Sequence, residues 1–424
     1  MSLRIGGHLL RMSNSPSIVA IGQFGSLFLS LITVPVIARG LGPDGRGVTA
    51  TMLAVIAICT VALCLGVPLA VRRRVANGES RRDVMATARL YAAILTAPAV
   101  ALAFPLRLLL FPDLPRAESL AFFLSMTCIP LSVSWATDVS VMVATREFRR
   151  IAILGLLQAG TTFAIICLAW GAQMVSITIV IYSQLAGNLM AFIVGLCWVP
   201  SLGGHFRGFK SIVREGLSLA GGQVADIASR RLDQVIVFPL LGAAGAGIYS
   251  VASSVGSLPV PVAQSLGAAA FKELAVGHPA EKTAVKRVLR FATILAVGSA
   301  AVLAVLAVAL IPIIFGKDFA PAVPVALAAI TGSIFVVIGF NCNMALAAQK
   351  RGRELTLAQV LGVLVGLALL VPLALAFGAT GAAVATACGS LVTMAVAMWR
   401  LGLSPLDAIP RRDDFLGVVR LMVR

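Results

Sequence analysis

Residues 291–313 read FATILAVGSAAVLAVLAVALIPI, twenty-three positions without a charged side chain. As a helix this run is about 34 Å long, enough to cross the roughly 30 Å hydrocarbon core of a bilayer. Lipid offers no partners for backbone N–H and C=O groups, so a spanning segment of this kind must be helical. The pattern recurs along the chain. Twelve candidate spans fall at roughly 17–38, 47–70, 88–106, 119–144, 152–170, 175–199, 215–240, 246–271, 290–313, 321–346, 355–376 and 380–401. The fold class read from them is an all-α polytopic membrane protein.

Composition agrees. Of 424 residues, 59% are apolar and 12% charged, against about 25% charged in a soluble domain. A soluble enzyme is excluded. Seven cysteines (59, 64, 128, 167, 197, 342, 388) all lie inside apolar runs with no C-x-x-C, so a disulfide scaffold and a zinc or redox motif are excluded too. The N-terminal stretch MSLRIGGHLLRMSNSPS is too polar for a cleaved signal peptide.

The formal charge is +17. In a soluble chain that excess points to nucleic acid; here it sits in short loops between apolar runs. Of 34 Lys and Arg, 27 fall in segments on one side and five on the other (Arg39, Arg46, Arg107, Arg116, Lys317). The positive-inside rule then puts both termini in the cytoplasm, and no nucleic-acid partner is expected. No loop is long enough for a further domain. The basic tail, with Phe415, Leu416, Val418 and Leu421, is expected on the inner leaflet.

The second half restates the first. Ala20-Ile21-Gly22-Gln23 matches Ala220-Gly221-Gly222-Gln223, and Leu41–Val48 matches Leu241–Ile248, both at an offset of 200. Leu65-Gly66 matches Leu266-Gly267, and Val143–Arg146 matches Ala347–Lys350. Six spans per repeat is an even number, so both repeats have one orientation and a pathway is expected between them. This sets domains at 1–200, 201–402 and a tail at 403–424.

Polar residues at membrane depth are costly and mark cavities or partners. In the seventh span, GLSLAGGQVADIASRRLDQVIVFPL, Asp226, Arg230 and Asp233 fall within about 60° of one another on a helix, with Gln223 on the same side. Arg230 is spaced to bridge both carboxylates, and Arg231 points elsewhere. Positions 200 lower are Gln23, Ser26, Ser30 and Thr33, so both repeats aim a polar stripe at a hydrated lumen. Ser254 and Ser257 with Ser250 and Gln264 add to it from the eighth span, Asp138 from the fourth, and Asn341 and Asn343 from the tenth. Other readings stay open. The charges of the seventh span could form a structural ladder, Asp138 could pair with Arg230 or Arg231, the serines could be helix–helix glue, and Arg39 and Arg46 could be interfacial anchors.

Gly40–Gly45 matches G-x-G-x-x-G but follows a membrane span rather than a strand, so a dinucleotide site is rejected. No P-loop, D-x-D or H-E-x-x-H occurs, and His8, His205 and His278 lie in cytoplasmic segments. Neither an enzyme nor a cofactor is expected. Pro259, Pro261 and Gly221-Gly222 are places where helices can bend.

Four segments carry a family resemblance. Ala38–Gly47 resembles the A-R-x-L-G-P-x-x-x-G turn of Wzx-type polysaccharide flippases, in the multidrug, oligosaccharidyl-lipid and polysaccharide exporter superfamily. Asp233–Val237 with Leu241–Ser250, Phe315–Phe319 and Gly378–Thr386 are similar to that family's later motifs, in order. The resemblance implies two six-helix lobes and alternating access. It implies a polyprenyl-pyrophosphate-linked oligosaccharide as substrate, moved to the outer leaflet of a bacterial plasma membrane for lipopolysaccharide O-antigen or exopolysaccharide synthesis. Membrane lipids, a coupling H+ or Na+, and polysaccharide polymerase and chain-length proteins are the partners implied. Arg230, Arg231 and Arg39 would meet the anionic headgroup and the Ser, Asn and Gln stripes the sugars, with Asp138, Asp226 and Asp233 balancing charge or coupling an ion. Two acids and two arginines leave the seventh span neutral, a departure from the cationic lumen that the resemblance implies. The alternative is a cation-coupled multidrug exporter of the same superfamily. A major-facilitator carrier and a glycan polymerase fit less well, since the chain lacks the D-R-x-G-R-R-like loop and a large reactive outer loop; a non-transporting scaffold would be supported by a dry, fully packed lobe interface.

Overall fold

The computed structural model describes residues 16–201, 204–206, 208–261, 280–349 and 351–409, and all regular structure among them is helical. In chain order the helices are α1 (Pro16–Cys64), α2 (Val67–Ala76), α3 (Arg81–Ile94), α4 (Thr96–Leu110), α5 (Arg116–Thr127), α6 (Ile129–Ala144), α7 (Phe148–Gly171), α8 (Ile177–Trp198), α9 (Phe209–Gly256), α10 (Ala280–Phe315), α11 (Ala322–Ala348) and α12 (Gly352–Arg400). Short 3-10 turns lie at Lys317–Phe319 and Pro405–Ala408. Among the described residues, nine stretches are long and apolar enough to cross a membrane: α1, α3 with α4, α5 with α6, and each of α7 to α12. Gln264, the Leu266-Gly267 repeat match, Lys350 and the tail beyond Ile409 lie outside the described residues.

Three of the nine are each two spans in one. A straight α1 of 49 residues would be about 74 Å long, more than twice the hydrocarbon thickness. It is broken at Gly42, with φ 65° and ψ −175°, where the missing Cβ makes a positive φ cheap. Gly242 breaks α9 with nearly the same angles, 72° and −177°, and Gly378 breaks α12 at 61° and −143°. Divided at these glycines, the nine stretches are compatible with the twelve spans read from the sequence. Beyond Gly378 the chain folds back on itself. A Cβ on Gly389 would lie 2.7 Å from the Gly362 carbonyl oxygen and 3.0 Å from Gly366 Cα. Small residues let the two arms pack at backbone distance, which is how helices associate where hydrophobicity gives no drive.

The chain forms two compact units. Among the described residues, one holds the chain up to Leu41 and Val48–Leu232, the other Gly42–Gly47 and Asp233 onward. In the first, α1 closes on α7 through Gly22 against Ala152 and Gly25 against Leu156, and Met52, Met85, Phe122, Met126 and Met142 are fully buried. The first half of α9 joins this unit because its start is fastened there. Arg74 Nε donates to Glu215 Oε2 at 3.0 Å and Arg74 Nη2 to the Ser211 hydroxyl at 2.6 Å, while Tyr91 and Phe209 rings meet at 6.2 Å. In the second unit, α10, α11 and α12 share a core of Val285, Leu289, Cys342, Leu346, Ala358, Ala397 and Met398.

Candidate functional site

Asp226 lies 17 residues beyond the start of α9 and 16 before its break at Gly242, so the nearer end is about 24 Å away along the axis. Arg230, one turn on, directs its Nε to both Asp226 oxygens, at 3.2 and 3.1 Å. The side chains of this pair are 45% exposed for the arginine and 53% for the aspartate. Its neighbours Gly222 and Ser229 are exposed and Gln223 is half-buried. An open charge pair in the middle of a membrane-length helix has to face water, because lipid contact there is prohibitive. Arg230 therefore carries one carboxylate, not a two-acid ladder centred on itself.

Asp233 is held from the other side. The Tyr249 hydroxyl donates to its Oδ2 at 2.5 Å, and the Gln234 N–H donates to its Oδ1 at 2.8 Å. Tyr249 is buried and its oxygen lies 3.1 Å from the Thr386 hydroxyl of α12. Helical spacing placed Asp233 on the stripe of Arg230, but a phenol from the next turn-linked arm takes its carboxylate.

Asp138, fully buried on α6, pairs with Arg89 of α3 at 2.9 Å rather than with Arg230 or Arg231. The same guanidinium donates to the Val199 carbonyl at 2.7 Å and to the Ser201 hydroxyl, just past α8. Asp138 Oδ2 is buried with no hydrogen-bond partner and lies 2.5 Å from where a Gly195 Cβ would be. Arg89 was hidden in sequence because it sits at a span edge and counts among the basic residues of that cytoplasmic segment. The repeat held the signal: 201 residues on, Arg290 directs its Nε to the Asp407 carbonyl at 3.4 Å, past the last helix.

The hydroxyl stripes are internally satisfied as donors. Ser26 donates to Gly22 O at 3.0 Å, Ser30 to Ser26 O at 3.0 Å, Ser254 to Ser250 O at 2.7 Å and Ser257 to Ser254 O at 2.9 Å. Their outward lone pairs remain available. Gln23 and Ser30 are exposed. Asn341 and Asn343 do not share a face: two residues apart on α11, they point about 200° from each other, with Asn341 buried and donating to Val337 O at 2.9 Å. Arg39 is exposed and Arg231 likewise. Arg46 is buried, so it is not an exposed interfacial anchor. Sequence reading also missed a polar relay joining α7, α8 and α6. Gln158 Nε2 donates to Asn188 Oδ1 at 2.7 Å, and Asn188 Nδ2 to the Ser132 hydroxyl at 3.1 Å. Among the described residues no group of three His, Cys, Asp or Glu could hold a metal.

The sequence profile of the polysaccharide biosynthesis proteins matches residues 36–324. The chain belongs to this family. With nine membrane-length apolar helical stretches among its described residues, it is a multi-pass membrane protein. A curated relative is the succinoglycan biosynthesis transport protein ExoT of Rhizobium meliloti (strain 1021), 24% identical over 250 residues, 58% of this chain and 50% of that protein. The match thus spans half the length of that relative. Among solved structures, the lipid II flippase MurJ in an inward closed conformation superposes with a TM-score of 0.77 at 15% identity, covering 92% of this chain and 88% of that one. An inward-facing multidrug resistance MATE family transporter gives 0.72 at 14% identity, covering 89% and 94%. These two likenesses show the fold: this family member is built as those transporters are.

Proposed function

We propose that this chain is a flippase that moves a polyprenyl-pyrophosphate-linked oligosaccharide from the inner to the outer leaflet by alternating access, for cell-surface polysaccharide synthesis. Its family, the succinoglycan transport relative and the flippase fold support the class. The observation that carries the reading is the exposed Asp226–Arg230 pair, midway between the start of α9 and its break at Gly242. Arg230, with Arg231, meets the anionic headgroup. Gln23, Gln223, Ser26, Ser30, Ser254, Ser257 and Asn343 accept from or donate to sugar hydroxyls, while Asn341, buried and bonded to Val337 O, does not reach them; Arg39 meets the substrate near the outer end of its span, and the polyprenyl tail stays in lipid. Asp226 tempers Arg230 so that the pyrophosphate is released as well as bound. Asp138 balances Arg89, and Asp233, beside Tyr249 and Thr386, couples an H+ or Na+.

The test is a reconstituted assay with a fluorescent polyprenyl-pyrophosphate glycan, with and without an H+ or Na+ gradient. Protein-dependent translocation lost in Arg230→Ala is expected. Wild-type rates in a well-folded Arg230→Ala protein remove that role. Gradient-driven dye efflux without glycan movement replaces the reading with the drug exporter, for which the Asp233–Tyr249–Thr386 cluster is the favouring observation.

A further inference from the structure

Five exposed arginines lie at one corner of the first unit, on the side that the loop charges place in the cytoplasm. Arg81 and Arg82 open α3, and Arg146, Arg149 and Arg150 lie in and just after the turn from α6 into α7. Glu147 ties the two places together. Its Oε1 accepts from Arg81 Nη2 at 2.8 Å and from the Thr145 hydroxyl at 2.8 Å, and its Oε2 accepts from Arg150. Arg150 also lies over the Trp198 ring, 5.6 Å from its centroid, which brings the end of α8 to the same corner. Asp83, next along α3, is turned to the His205 N–H at 2.7 Å. Among the described residues, Arg82, Arg146 and Arg149 pair with no acid.

The inside rule asks only for positive charge near this interface, and two observations exceed it. The first is the backbone of Arg146. Its N–H donates to Val143 O at 3.2 Å and that of Glu147 to Met142 O at 2.8 Å, a helix-ending turn whose left-handed position is usually glycine. After α2 and α12 that position is Gly78 and Gly402, and after α7 it is Gln173; here it is Arg146, with φ 58°. A long charged side chain is held where it costs backbone strain. The second is the other repeat. Arg351 stands 204 positions after Glu147, and it turns to Glu354 at 2.8 and 2.7 Å and to the Arg400 carbonyl. The fold is therefore built equally well with this turn neutralised.

We propose that this corner binds the phosphate of an anionic phospholipid of the inner leaflet, with Arg146 and Arg149 as its main contacts and Arg82 beside them. Basic pockets between helix ends at this interface suit such headgroups. Trp198 marks the headgroup level, and Ile193 and Leu196, exposed on the last turns of α8, offer a wall to the acyl chains. The bound lipid ties together the ends of α3, α7 and α8. The assignment does not rest on the flippase reading.

The test follows the fluorescence of Trp198 in protein carrying Trp135→Phe, Trp170→Phe and Trp399→Phe, which removes the other tryptophans. Phosphatidylcholine vesicles contain brominated phosphatidylglycerol or, as control, an equal fraction of brominated phosphatidylcholine. Stronger quenching by the phosphatidylglycerol is expected, falling as salt rises. Arg149→Gln is expected to weaken that association about fivefold, the worth of one arginine near an anionic surface, and Arg353→Gln, in the second unit, to leave it unchanged. Equal quenching by both lipids, or equal effects of the two variants, overturns the site. Arg146→Gly separates binding from packing. Freed of a left-handed side chain, it is expected to be at least as stable as wild type in phosphatidylcholine, and to lose the rise in unfolding midpoint that phosphatidylglycerol gives the wild type. A full rise in Arg146→Gly overturns the site, and this melt serves where the tryptophan replacements do not fold. A polyprenyl pyrophosphate that displaces the brominated lipid where excess phosphatidylglycerol does not overturns the phospholipid as occupant.

Discussion

Replacing Arg89 by Met tests how much of the first unit hangs on one guanidinium. The substitution deletes the pair to Asp138 and the bonds to Val199 O and Ser201, and leaves a carboxylate with 0% exposure without a counter-charge. Removing one partner of a buried pair costs about 3–5 kcal/mol. The three lost hydrogen bonds are part of that figure, not an addition to it, since they share the one side chain. The refinement is Arg89→Met with Asp138→Leu. Replacing both charges by apolar groups of similar size is often neutral or better, so the double variant is expected to regain at least half the loss. Folding free energies from denaturing-detergent titrations of wild type, both single variants and the double variant close the cycle. A single variant within about 0.5 kcal/mol of wild type, or a double variant no better than Arg89→Met, refutes the reasoning.

Gly389→Ala is expected to destabilise by about 1–3 kcal/mol through its contact with Gly362, read by the same titration. Gly160→Ala, where a Cβ meets nothing within 4 Å, is expected to gain up to about 1 kcal/mol from helix propensity. At Gly42 a Cβ also meets nothing, yet φ is +65°, so Gly42→Ala is expected to cost about 1–3 kcal/mol from strain alone; a neutral result there means the joint relaxes. Burial raises the Glu147 carboxyl, but hydrogen bonds from Thr145, Arg81 and Arg150 outweigh it and hold the group below its usual range. Its contribution is present above the unfolded carboxylate pKa of about 4.3 and is lost as pH falls through the lower folded value. Both arginines are over 40% exposed, so the effect is under about 1 kcal/mol, and Glu147→Gln is expected to remove that part of the acid dependence.

Helices and repeat were legible because hydropathy and backbone chemistry leave lipid-facing chain one option, and because the glycines at 42 and 242 recur at a fixed offset. Which side chain meets which was not. Helical periodicity places Asp226, Arg230 and Asp233 on one stripe, but it knows nothing of Tyr249, sixteen residues on, whose hydroxyl claims Asp233. Asp138 was visible as a costly residue, yet its partner Arg89 was one of the span-edge arginines that the inside rule already explained. The Asn341 and Asn343 pair shows the converse: two polar residues close in sequence, parted by the helical turn itself.

The joints at Gly42, Gly242 and Gly378 are single residues, and the orientation expected from the loop charges has all three on the outer side. In that orientation the protein shows the outer side of its membrane corners rather than loops at these points. There is no slack for a protease to thread or an antibody to grip, and a tag inserted there would have to pull two spans out of register. At these positions the outer face is shaped to be overlooked.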